Sequence, residues 1–125
     1  MNRPIVISRT AVLVAGALQL ILGALFWSGI ALNLVPVHAT IGTILVLALW
    51  TLAYFAARAG APKGLVILTV VWGLVLPVFG TLQGGILHGP LHWIIQVVHL
   101  LLGLAALALS KILADAAIRA RTVAV

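Results

Sequence analysis

The chain has no cysteine and a single acidic residue, Asp115, among its 125 residues. Without cysteine there are no disulfides, thiolate metal ligands, iron–sulfur clusters or thioether-linked haem groups. One carboxylate cannot form an acid/base pair, and a carboxylate proton relay of the kind found in many pumps and cation transporters is excluded. No Ser/His/Asp set and no phosphate-cradling glycine loop can be assembled either. Only 6% of residues are charged, against about a quarter in soluble domains.

What remains is apolar. Hydrophobic residues make up 65% of the chain and the mean hydropathy is +1.35, which identifies an integral membrane protein of one domain spanning residues 1–125. A hydrocarbon core of about 30 Å takes roughly 20 apolar residues as helix, and four stretches meet that length: 11–34, 36–57, 65–87 and 90–113. Asn33 and Pro36, Gly60 to Gly64, and Gly84-Gly85 with His88-Gly89-Pro90 mark the breaks. Pro36 and Pro90 suit first helical turns, whereas Pro77 interrupts the third stretch and predicts a kink. The first stretch is longer than an apolar signal core and has no small-residue cleavage site, so it reads as a retained span. Residues 111–121 mix charge with alanine and isoleucine and predict a helical extension among headgroups.

The net charge of +6 would suggest nucleic acid in a soluble protein, but here the basic residues sit singly at the ends of apolar runs. Arg3 and Arg9 precede the first span, Arg58 and Lys63 flank the second connection, and Lys111, Arg119 and Arg121 close the chain. The other two connections carry no lysine or arginine. The positive-inside rule therefore predicts an all-α, up-down-up-down four-helix bundle with both termini cytoplasmic. It belongs to a cell membrane of the bacterial inner-membrane type, its partner is the bilayer rather than nucleic acid, and Trp27 and Trp93 anchor the outer interface.

That topology sends all four histidines, His38, His88, His92 and His99, toward the outer side. A short echo links two of them: Val37-His38-Ala39-Thr40-Ile41-Gly42 and Val98-His99-Leu100-Leu101-Leu102-Gly103 are both V-H-x-x-x-G. A glycine four residues after histidine shares its helix face and leaves room beside the imidazole for a flat ligand or a close helix. His38 precedes Arg58 by as many residues as His99 precedes Arg119, which places both about 30 Å from a basic marker. If Lys111 is the marker, His92 becomes the level partner of His38. On the fourth span His92, Gln96, His99, Gly103, Ala106 and Ser110 form one polar or small stripe, predicted to face the bundle interior. Gly16, Gln19 and Gly23 on the first span, and Thr69, Gly73 and Gly80 on the third, read as helix-contact faces, and Gly80 with Gly84 makes one G-x-x-x-G.

Two inward imidazoles at matched depth on facing helices have the disposition for axial ligation of a haem iron, with backbone carbonyls, Thr40 or Gln96 as acceptors for the second ring nitrogens. The expected cofactor-binding set is His38, His99, Gly42, Gly103, His92 and Gln96. His38 and His99 are the iron ligands, and His92 is the alternative ligand.

Four helices with His38 opening the second and Gln96 to Gly103 carrying the histidine of the fourth resemble one half of the eight-helix haem A synthases. The resemblance implies His38 and His99 as haem ligands and association of two copies into a homodimer or larger complex. The family's glutamate and arginine near the second-helix histidine correspond here to Val35 and Ala39, and its outer-loop cysteines are missing. The implied function is therefore haem b binding, for electron transfer with quinol as one donor or for haem handling, rather than oxidation of a haem methyl group. An oxidoreductase role remains open. Two other readings stand beside it: a copper or zinc site using His88, His92 and His99, since imidazole suits both metals, and a cofactor-free structural subunit, in which His88 is solvated and His92 interfacial.

Overall fold

The computed structural model describes residues 2–123 and is all-helical over that range. Its four long helices are α1 (Arg3–Trp27), α2 (Val35–Arg58), α3 (Lys63–Leu82) and α4 (His92–Val123). Each is long and apolar enough to cross a membrane. Large apolar side chains point outward along all four, among them Ile7, Leu47, Ile67, Val78 and Leu101, each more than half exposed. In water such a surface would drive aggregation; against acyl chains it is at rest.

The helix ends differ from the sequence expectation, for local reasons. α1 begins at Arg3, helped by Pro4 in its first turn, rather than at Ala11. It ends at Trp27 rather than Leu34, because Gly29 adopts φ +72° and closes the helix by two bonds, Ile30 N–H to the Leu25 carbonyl at 2.8 Å and Gly29 N–H to Phe26 at 2.9 Å. Paired bonds around a left-handed glycine are a standard helix stop. Gly60, at φ +84°, ends α2 the same way, with Ala61 N–H on Ala56 and Gly60 N–H on Ala57. α3 stops at Leu82, not Leu87, where Gln83-Gly84-Gly85 tighten into a 3₁₀ turn. α4 follows a second 3₁₀ turn, Gly89–Leu91, and runs unbroken to Val123, so the charged extension is helical. Pro77 lies inside α3, leaving the Gly73 carbonyl without its intrahelical donor.

α2 and α4 form the central pair. α1 packs on both from one flank and α3 from the other, and among the described residues no Cα of α1 comes within 8 Å of one in α3. One end is tightly filled: Ile5, Leu52, Ala53, Ala56, Ala61, Leu113, Ala114 and Ala117 form a continuous buried cluster. A second cluster, Val12, Ala15, Leu45, Leu49 and Ala106, occupies the middle. Two indole N–H groups tie helices together there, Trp50 to the Val70 carbonyl at 3.1 Å and Trp72 to Leu102 at 3.0 Å. Hydroxyls donate within their own helices, as for Ser8, Thr40, Thr69 and Ser110, so few polar hydrogens are left without an acceptor inside apolar surroundings. Asp115 accepts from Lys111 at 2.9 Å and lies 3.7 Å from Arg9, joining α4 to α1.

Candidate functional site

The filled end gives way to a cavity of about 1020 Å³ in the half of the bundle that holds the 28–34 and 83–91 connections. All four helices line it. Glycines account for much of its width. An added methyl would meet no atom within 4 Å at Gly23, Gly84 or Gly103. Gly16 is different, since the Leu107 side chain already occupies the space beside it, as Trp50 does at Gly73 outside the cavity lining.

His38 and His99 are brought together in this cavity. Their ring centroids are 6.3 Å apart with an interplanar angle of 47°. Each imidazole is also braced by a phenylalanine: Phe26 meets His38 edge-on at 5.4 Å, and Phe79 stacks on His99 at 6.0 Å and 13°. Gly80 lets α3 come close to His99, since a β-carbon there would lie 3.4 Å from its Cε1. Gly42, one turn after His38, is covered by the Gln19 amide, whose Nε2 would be 2.8 Å from a β-carbon.

None of the expected acceptors engages either Nδ1. The Nδ1 atoms of His38 and His99 are both buried without a hydrogen-bond partner, as is Gln19 Oε1. Thr40 does not accept from a histidine; its hydroxyl donates to the Pro36 carbonyl on an exposed face. Gln96 lines the cavity but bonds neither imidazole. Each unpaired buried polar atom costs roughly 1–3 kcal/mol, and three of them belong to side chains that line one cavity.

The other predicted residues divide. His92 and Gly103 line the same cavity as His38, His99, Gly42 and Gln96. The His92 ring is held by the connection before α4, Nδ1 lying 3.2 Å from the Ile86 carbonyl. His88 is exposed and outside the cavity lining. Among the described residues no group of three or more histidine or carboxylate side chains converges as a metal site. Among the same described residues, no lysine, arginine, aspartate or glutamate lines the cavity.

Gln19, Phe26, Phe79 and Gly80 are site residues beyond the predicted set. Gln19 carried a signal, being an amide inside an apolar run with Gly16 and Gly23 on its face. Compared with protein-family models, curated proteins and solved structures, the chain finds no significant match. The resemblance to haem A synthases therefore stands on the residues quoted for it alone.

Proposed function

We propose that this protein is a membrane-embedded b-type haem protein in which His38 and His99 are the two axial ligands, serving electron transfer or haem handling. The observation that carries this reading is the spacing of the two imidazoles across a wide, mostly apolar cavity. A metal–imidazole nitrogen bond of about 2.0–2.1 Å plus about 1.1 Å from nitrogen to ring centre, taken on both sides of one metal, spans about 6.3 Å. The rings stand at that separation. Their planes are inclined at 47° to each other.

The cavity supports the same reading. Its volume of about 1020 Å³ lies at the upper end of the roughly 300–1,000 Å³ usual for small-molecule and cofactor pockets. Gly103 stands one turn beyond His99 with open space beside it, where a larger side chain would intrude on a flat group held between the rings, whereas at Gly42, one turn beyond His38, the Gln19 amide already fills that place. With no cation in the lining, the charged edge of such a group belongs near the helix ends, where Trp27, Gln83 and His92 lie. Held by His38 and His99, such a group would supply one-electron transfer. The chain's part is to hold the two ligand rings through Phe26 and Phe79, and to exclude water with its leucine, valine and glycine walls.

The bundle is proposed to run up-down-up-down in a cytoplasmic membrane, with the basic end and both termini inside and the histidines outward. Val35 and Ala39 stand where haem A synthases carry charged residues, so no oxidation of the cofactor is proposed. A copper or zinc reading gains no support from the geometry, because the histidines supply one close pair rather than a cluster.

The test is the visible spectrum of the full-length protein produced with haem supplied. Wild type should show a reduced low-spin spectrum, His38→Ala and His99→Ala should each lose it, and His92→Ala should keep it. A colourless folded protein, or a spectrum unchanged in both single variants, overturns the proposal. Loss in His92→Ala with retention in His99→Ala would move the second ligand to His92.

A further inference from the structure

A second crevice lies at the other end of the molecule, beside the α2–α3 connection. It is an open surface depression of about 520 Å³ lined by Ala57, Gly60, Ala61, Lys63, Val66 and Ile67. Apart from the lysine its side chains are all hydrocarbon. Ile67, 63% exposed, continues the crevice onto the outward face of α3, which carries Val70, Val71 and Leu74 beyond it.

The charge balance indicates what such a crevice would accept. Seven lysines and arginines face one carboxylate in the whole chain, and that carboxylate is held between Lys111 and Arg9. Lys63 is exposed and, among the described residues, has no ion-pair partner; the same is true of Arg58 at the end of α2. A cation at the head of an apolar groove, at the end of a membrane-spanning helix, is complementary to an anion that carries a hydrocarbon tail. An inorganic anion would leave the apolar wall uncovered. A zwitterionic lipid brings its own cation to compete with the lysine.

We infer that this crevice binds an anionic phospholipid of the phosphatidylglycerol type, its phosphate against the Lys63 ammonium and the upper part of an acyl chain along Val66 and Ile67. Lysine suits the role as a flexible point charge whose stem can lie along apolar surface while its head stays at the water boundary. The site does not depend on the cofactor reading, since it lies at the opposite end of the bundle and uses none of the same residues.

Native mass spectrometry of the full-length protein, titrated with an equimolar mixture of phosphatidylglycerol and phosphatidylcholine, tests the inference. The first lipid retained should be phosphatidylglycerol, enriched about fivefold, the preference one well-placed cation confers. Lys63→Gln should bring the preference below about twofold, and Lys63→Arg should keep it. Lys111→Gln, which removes an equal charge already held by Asp115, should leave it unchanged. Helical circular dichroism confirms that each variant is folded. The inference is overturned if Lys63→Gln retains the preference, if Lys63→Gln and Lys111→Gln reduce it equally, or if inorganic phosphate displaces the lipid.

Discussion

The two ends of this bundle are built from small residues, yet one is closed and the other hollow. At the closed end the small residues are alanines, and Ala53, Ala56, Ala114 and Ala117 are essentially inaccessible, their methyl groups meeting Ile5, Leu52 and Leu113. At the hollow end they are glycines, and Gly23 and Gly103 face nothing within 4 Å of where a methyl would be. Small residues draw membrane helices together only when the opposite surface supplies atoms to fill the approach. Where leucine or tryptophan does so, at Gly16 and Gly73, the packing is tight. Where histidine pairs with empty glycine, space is left over.

The difference is sharpest in a substitution that fills the hollow end. Gly103→Leu enters open space and replaces a poor helix former with a good one, so the folded state should be kept or strengthened. If the cavity holds a flat cofactor, the same leucine competes for its volume, and an overpacking cost of about 1–3 kcal/mol corresponds to a loss of haem affinity of roughly 5- to 150-fold. Haem titration beside thermal unfolding in detergent separates the two effects. Undiminished haem uptake would mean that Gly103 is not part of the cofactor's surroundings.

The converse change empties the closed end. Leu52 is fully buried in that cluster, and Leu52→Ala should cost on the order of 2 kcal/mol, the low end of the range for such truncations. The low end applies because a membrane bundle loses packing contacts but little of the hydrophobic transfer term. Reversible unfolding in mixed micelles measures it, and under the proposed function the haem spectrum should be unmoved. A large spectral change in Leu52→Ala would show that the two ends are mechanically coupled.

How far this contrast could be read from sequence depends on the range of the interaction concerned. The number of membrane-length apolar helices and the approach of His38 to His99 were legible, because apolar length and the V-H-x-x-x-G echo are local patterns in the sequence. The ends of α1 and α3 were less so: Gly29 stops α1 through two backbone bonds, while Asn33 and Pro36, the more conspicuous turn formers, lie beyond it. Phe26 and Phe79 could not be placed beside the histidines, since a stacking partner depends on the rotation of each helix about its axis. Rotation is set by contacts such as those of Trp50 and Trp72 with neighbouring carbonyls. Thr40 shows the opposite error, a residue close to the site in sequence whose hydroxyl is turned to its own helix.

The smallest effect belongs to the one acidic residue. Asp115 joins Lys111 on its own helix and Arg9 on α1, but its side chain is about a third exposed, at 32%, so water and salt screen both pairs. Asp115→Asn should therefore lower the unfolding midpoint only slightly, with the shift disappearing at high ionic strength. It leaves Arg9, whose Nε is already buried without a partner, with less compensation than before, so Arg9→Gln combined with Asp115→Asn should be no less stable than Asp115→Asn alone. A midpoint drop approaching that of Leu52→Ala would show that the link between α1 and α4 is electrostatic rather than maintained by the alanine packing beneath it.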